Sequence, residues 1–153
     1  MPEPQIQGLS HMTFIVEDLD AMEAILVGVL GGRKVYDSGP STFSLSEERF
    51  LVLGPDDIWI AIMKGPALPS RTYNHIAFKI DDADYDTYRQ RIAGFGLDLR
   101  EGRPRVAGEG RSLYFHDRDN HLFELHTGTL PERLARYGRP PDESNSQAEG
   151  LTP

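Results

Sequence analysis

LSHMTFIV, residues 9–16, decides the fold, and YNHIAFKI, residues 73–80, repeats its logic. In the first stretch Met12, Phe14 and Val16 fall on one face of an extended chain, and His11, Thr13 and Ile15 fall on the other. That is the period of a strand with one apolar face. A shift of 64 positions superposes His11 on His75, Phe14 on Phe78, Asp18 on Asp82, Asp20 on Asp84 and Gly32 on Gly96. Few identities carry this repeat, but the order of elements around each stretch also matches.

Downstream of the first stretch, Asp18 or Asp20 can cap a helix in which Met22, Ile25, Leu26 and Val29 or Leu30 recur at helical spacing. Gly31-Gly32 stops it. Strands are predicted at Lys34–Tyr36, Thr42–Leu45, Phe50–Leu53 and Ile58–Met63, with Gly54–Asp57 as the turn between the last two. Ile58–Met63 is apolar on both faces, as a central strand should be. Lys64–Arg71, with two prolines, reads as a linker. The pattern then restarts: strand Tyr73–Ile80, a helix after Asp82 or Asp84 carrying Tyr85, Tyr88 and Ile92, and strands Leu97–Arg100, Ser112–His116 and His121–His126. Gly102–Arg111 is a loop and Asp117–Asn120 a hairpin turn. The expected fold class is α+β. Two βαβββ modules, residues 6–66 and 72–128, pack into a curved mixed sheet, followed by a helix at 129–138 and a disordered tail at 139–153.

Composition narrows the function. The chain has 153 residues and 39% hydrophobic side chains, enough for one compact domain or two small modules sharing a core. Its formal charge of -8 opposes a nucleic-acid partner, whose phosphates this surface would repel. With no cysteine, disulfides and thiol catalysis by the protein itself are excluded. The start, MPEPQIQ, is no secretory signal, and no apolar run is long enough to span a membrane. A soluble, cytoplasmic protein is expected, with no membrane partner.

His11 and His75 hold equivalent places in the two modules, so a pseudo-two-fold axis would turn both imidazoles toward one cavity. Glu124 lies mid-strand between apolar neighbours, where a carboxylate is costly unless a cation or hydrogen bonds compensate it. Two imidazoles and a carboxylate suit Mn²⁺, Fe²⁺, Zn²⁺ or Ni²⁺ and leave positions open for substrate. The plainer alternative is a pair of hydrogen-bonded sheet histidines and a solvated glutamate. His116, His121 and His126 flank turns or strand ends and are left out of the site.

Glu47-Glu48-Arg49 stands at a hairpin end; one of the acids is either surface charge or a general base at the cavity mouth. The loop with Arg103, Arg105 and Arg111, followed by Ser112, Tyr114, Arg133 and Arg136, is locally basic on an acidic chain. Either these arginines are solvated or they grip phosphate-like oxygens.

The stretches LSHMTFIVEDL, TFSLSEERF, RTYNHIAFKIDDAD, RPRVAGEGRSLYF and DNHLFELHTGTLPERLARY resemble the fosfomycin resistance proteins of the vicinal oxygen chelate (glyoxalase) superfamily, most closely the FosX type. These are metal-dependent hydrolases that add water to the epoxide of fosfomycin. The resemblance, over residues 6–137, implies a homodimer, a U-shaped metal-binding cavity and Mn²⁺ as the ion. It implies His11, His75 and Glu124 as ligands and Glu48 as general base. It further implies Ser112, Tyr114 and Arg133 at the phosphonate, Thr13 beside the substrate, and Arg105, with Arg103, near a cationic phosphonate contact. The turn Gly54–Asp57 is about two residues longer than in relatives, which bears on the hairpin and not on the ligands. The alternatives on the same scaffold are a thiol transferase opening the same epoxide and a dioxygenase using the same ligand set. A different class is a metal-free binding protein that sequesters the drug.

Overall fold

The computed structural model describes residues 1–41, 44–103 and 109–138. The chain divides into two units, Met1–Pro66 and Ala67–Pro153. The N-terminal unit contains β1 (His11–Val16), α1 (Leu19–Gly28), β2 (Arg33–Asp37), β3 (Glu48–Leu53) and β4 (Ile58–Lys64). The C-terminal unit contains β5 (His75–Lys79), a 3₁₀ turn at Asp82–Asp84, α2 (Tyr85–Gly94), β6 (Leu99–Glu101), β7 (Ser112–His116), β8 (Leu122–His126) and α3 (Leu130–Tyr137). The strands form two four-stranded mixed sheets with the same wiring, β1-β4-β3-β2 and β5-β8-β7-β6. In each sheet the first strand pairs parallel with the last, and the other pairs are antiparallel. The α+β fold with two βαβββ units expected from the repeat is therefore present.

Local chemistry accounts for the boundaries. Asp18 caps α1 by accepting a hydrogen bond from the Ala21 amide at 3.0 Å. At the start of α3, Thr129 accepts from the Glu132 amide at 3.3 Å while its hydroxyl donates to the Glu132 carboxylate at 2.8 Å. Gly54 and Asp57 both take positive φ in the β3–β4 turn, and Asn120 does so in the β7–β8 turn. β4 is interior to its sheet, as its two-sided apolar pattern predicts. The predicted strand Thr42–Leu45 is corrected. Ser44 and Leu45 are bends with exposed side chains, and Thr42 and Phe43 lie outside the described residues.

Each sheet buries one face against its own helix. In the N-terminal unit Val16, Leu51, Leu53, Ile60 and Ile62 are buried together with Leu19, Met22, Ile25 and Leu26 of α1. In the C-terminal unit Phe78, Leu113, Phe115, Phe123 and Leu125 join Tyr85 and Ile92 of α2. Full burial of each such aliphatic or aromatic side chain contributes about 1.5–3 kcal/mol. The opposite faces carry the polar residues, which is what frees them for chemistry. Among the described residues no helix is long and apolar enough to cross a membrane. Residues 139–153, the expected tail, lie outside the described residues.

Candidate metal and substrate site

The two registers place the site residues on matching faces. In the C-terminal unit His75 pairs with Leu122 and Ala77 with Glu124 across β5 and β8. Glu124 pairs in turn with Tyr114, and His126 with Ser112, across β7 and β8. His75, Glu124, His126, Ser112 and Tyr114 therefore share the face turned away from α2. In the N-terminal unit His11 pairs with Trp59 and Thr13 with Ala61, and Met63 pairs with Glu48. His11, Thr13, Trp59, Ala61 and Glu48 thus share the face turned away from α1.

His75 and Glu124 are brought together, with Nε2 3.7 Å from Oε2. His75 Nδ1 lies 2.7 Å from the Tyr73 carbonyl oxygen, which can only accept, so Nδ1 must carry a proton and donate. That bond fixes the ring and turns Nε2 toward Glu124, the orientation a metal-binding imidazole needs. Glu124 is buried, at 5% exposure, and also receives the Tyr114 hydroxyl. Burial, then the hydrogen bonds to Glu124 and Tyr73, push the Tyr114 phenol up in pKa, so it stays a proton donor at any physiological pH. Its hydroxyl thereby helps to orient Glu124 and lies on the face that carries Ser112.

His11 occupies the position of His75 in the N-terminal unit. Its Nδ1 lies 3.0 Å from Ser10 Oγ, which leaves Nε2 to a ligand, and its ring packs on Trp59 at 4.2 Å between centroids. Among the described residues no three His, Asp or Glu side chains gather closely enough to hold an ion. Where the C-terminal unit has Glu124 opposite Ala77, the N-terminal unit has Ala61 opposite Thr13. The N-terminal unit therefore has no counterpart of the Glu124 carboxylate at the repeat-related place. The His75 imidazole beside the buried Glu124 carboxylate is a donor pair that fits a divalent ion.

Glu48 is not at a hairpin tip, as its sequence neighbourhood suggests, but is the first residue of β3. It is 8% exposed, and its amide donates to Ser38 Oγ at 3.0 Å. Arg49 points to the other face, where Asp20, Glu23 and Asp37 hold it at 2.8–3.3 Å. Strand alternation thus keeps the neighbouring arginine away from the Glu48 carboxylate.

The arginine-rich stretch divides. Arg103 is bound by the buried Glu109 carboxylate at 3.1 Å and reaches the Tyr137 hydroxyl at 3.4 Å, which makes it a brace rather than a ready anion contact. Arg111 is held by Asp82 at 2.9 Å and lies over the Tyr85 ring. Arg105 lies outside the described residues. Arg133 of α3 instead approaches the sheet, with Nη2 3.3 Å from His126 Nε2, and His126 Nδ1 lies 2.7 Å from Ser112 Oγ. His126, left out of the site on sequence, is therefore joined to two of its expected substrate contacts. Counting outward from the Asp117–Asn120 turn would set Ser112 opposite Leu125; the Asp117 amide, bonded to the His121 carbonyl at 3.0 Å, shifts the register by one and sets it opposite His126.

Residues 8–125 match the glyoxalase/bleomycin resistance protein/dioxygenase superfamily. Fosfomycin resistance protein FosX of Mesorhizobium japonicum is 64% identical over 134 residues, covering 88% of this chain and 95% of that protein. The crystal structure of FosX from Mesorhizobium loti superposes with a TM-score of 0.77 at 61% identity, covering 86% of this chain and 100% of that one. A glutamate-to-glutamine mutant of Listeria monocytogenes FosX, complexed with Mn(II) and 1S,2S-dihydroxypropylphosphonic acid, superposes with a TM-score of 0.77 at 49% identity, covering 87% and 99%. The chain belongs to this superfamily and, within it, to the FosX-type fosfomycin resistance proteins.

Proposed function

We propose that this chain is a Mn²⁺-dependent hydrolase that adds water to the epoxide of fosfomycin, with His11, His75 and Glu124 as metal ligands and Glu48 as general base. The observation that carries the ligand set is the fixed His75 imidazole, its Nε2 3.7 Å from a buried carboxylate, with His11 at the repeat-related position. The relative that binds Mn(II) holds a vicinal diol phosphonate, the compound that adding water to the fosfomycin epoxide yields.

What the bound ion supplies is Lewis acidity toward the epoxide oxygen as negative charge develops there. The residues do the rest. The Glu48 carboxylate takes a proton from water as the water oxygen bonds to an epoxide carbon and the ring C–O bond breaks. Protonation of the released oxygen completes the addition of one water molecule. Ser112, Tyr114 and Arg133, with Arg105, fix the phosphonate, and Thr13 lies beside the substrate, which orients the ring for attack. Reaction in ¹⁸O-labelled water tests this: the diol should carry one ¹⁸O on carbon, and an unlabelled product would overturn it.

The working assembly is a homodimer in the cytoplasm. Leu130, Leu134 and Tyr137 support the dimer: they follow one another along α3 at spacings of four and three residues and are each more than half exposed. The cysteine-free sequence supports the location. Neither a nucleic acid nor a membrane is a partner.

A further inference from the structure

His126 is tied to both Ser112 and Arg133, and donor chemistry fixes the direction of each bond. A guanidinium has only donors, so Arg133 Nη2, 3.3 Å away, makes His126 Nε2 the acceptor. The proton of the neutral ring then sits on Nδ1 and is donated to Ser112 Oγ at 2.7 Å. Ser112 accepts through its oxygen and keeps its own hydroxyl hydrogen to give to something else.

The place of the ring is built by glycine. A Cβ on Gly128 would stand 2.7 Å from His126 Nε2 and 2.7 Å from the Glu109 carbonyl oxygen. Gly110, at φ +79°, lets the Glu109–Arg111 turn approach Gly128 so closely that a Cβ there would lie 2.5 Å from the Gly128 nitrogen. The Thr127 hydroxyl accepts the Arg111 amide at 2.8 Å and closes this wall. The ring therefore has a prepared slot between the end of β8 and the start of α3.

We propose that His126 is a positioning residue for the phosphonate: in its Nδ1–H tautomer it links Ser112 on β7 to Arg133 on α3 and sets them as a paired hydroxyl and guanidinium donor for one anionic group. The inference rests on the assignment of Ser112 and Arg133 to the phosphonate made above. Without the bridge, the serine rotor and the long arginine side chain must each be ordered by the substrate, at an entropic cost to binding. A residue acting this way changes substrate affinity uniformly, so KM moves and kcat does not.

The test is steady-state hydration of fosfomycin by the Mn²⁺-saturated enzyme, with Mn²⁺ affinity measured alongside. Ser112→Ala and Arg133→Ala are each expected to raise KM. His126→Phe, which fills the slot without polar atoms, should raise KM by about tenfold, the loss of roughly one hydrogen bond, with kcat and Mn²⁺ affinity near those of the parent. His126→Asn, which restores a donor at the Nδ1 position, should recover part of that loss. Ser112→Ala should also cost less in the His126→Phe background than in the parent. The inference is overturned if KM is unchanged in both His126 variants while Ser112→Ala and Arg133→Ala raise it. An unchanged KM in Ser112→Ala and Arg133→Ala would instead sink the phosphonate assignment, and the inference with it.

Discussion

His75 and Glu124 stand side by side because β5 and β8 run parallel in a register that pairs Ala77 with Glu124, which brings Nε2 to 3.7 Å from Oε2. The Tyr73 carbonyl holds the far side of the imidazole and the Tyr114 hydroxyl steadies the carboxylate. A cation shared by the two would relieve the cost of a buried carboxylate. His75→Ala and Glu124→Gln should each weaken Mn²⁺ binding by more than the ~10–100-fold typical of losing an outer hydrogen-bond partner. Paramagnetic resonance of free Mn²⁺ during titration reads this directly. Parent-like affinity in either variant would remove that residue from the ligand set.

Glu48 separates binding from chemistry. Glu48→Gln keeps the shape of the side chain and removes its capacity to take a proton. It should leave Mn²⁺ affinity unchanged and lower the rate of diol formation by about 10²–10⁴-fold. Undiminished hydration in this variant would refute the base assignment.

The exposed stripe on α3 gives a prediction about assembly. Leu134→Asp puts a charge in the middle of Leu130, Leu134 and Tyr137 without touching the core. In sedimentation experiments the parent chain should run as a dimer and this variant should shift toward monomer. Equal association in both would direct the search for the dimer contact elsewhere.

His116 gives a pH dependence. It is buried, its Nε2 has no hydrogen-bond partner among the described residues, and burial followed by the nearby Arg71 guanidinium lowers its pKa from the usual 6.5. The unfolded chain therefore takes up this proton at a higher pH than the folded chain does. The contribution to stability is present above about pH 6.5 and is lost as pH falls through the lower folded value. In melting curves between pH 7.5 and 5, His116→Leu should lose less stability than the parent. Parallel losses would show that His116 is not a source of acid sensitivity.

Much of this was legible in the sequence, because strand alternation and helix spacing depend on near neighbours. LSHMTFIV and YNHIAFKI each announce a half-buried strand, and capping residues and turn glycines mark most boundaries. What escaped depends on partners distant in sequence. Glu48 looked like part of an acidic hairpin tip, yet cross-strand pairing with Met63, and the bond from the Lys64 amide to the Glu47 carbonyl, draw it into β3. Leu45 resembles a strand residue but lies in a bend with its side chain exposed. His126 looked like a frayed strand end, because neither the Gly128 slot nor Arg133 on α3 is visible in a strand pattern. Arg103 looked like an anion contact because its partner, the buried Glu109, lies within the same basic loop.

The most direct measurement is phosphorus NMR of fosfomycin incubated with the purified protein and Mn²⁺, first without any thiol and then with glutathione, against a chelator control. Conversion to the vicinal diol without thiol, abolished by the chelator, is the expected result. Turnover that begins only when thiol is added, giving a thiol adduct in place of the diol, would contradict the hydrolase account and leave Glu48 without its role.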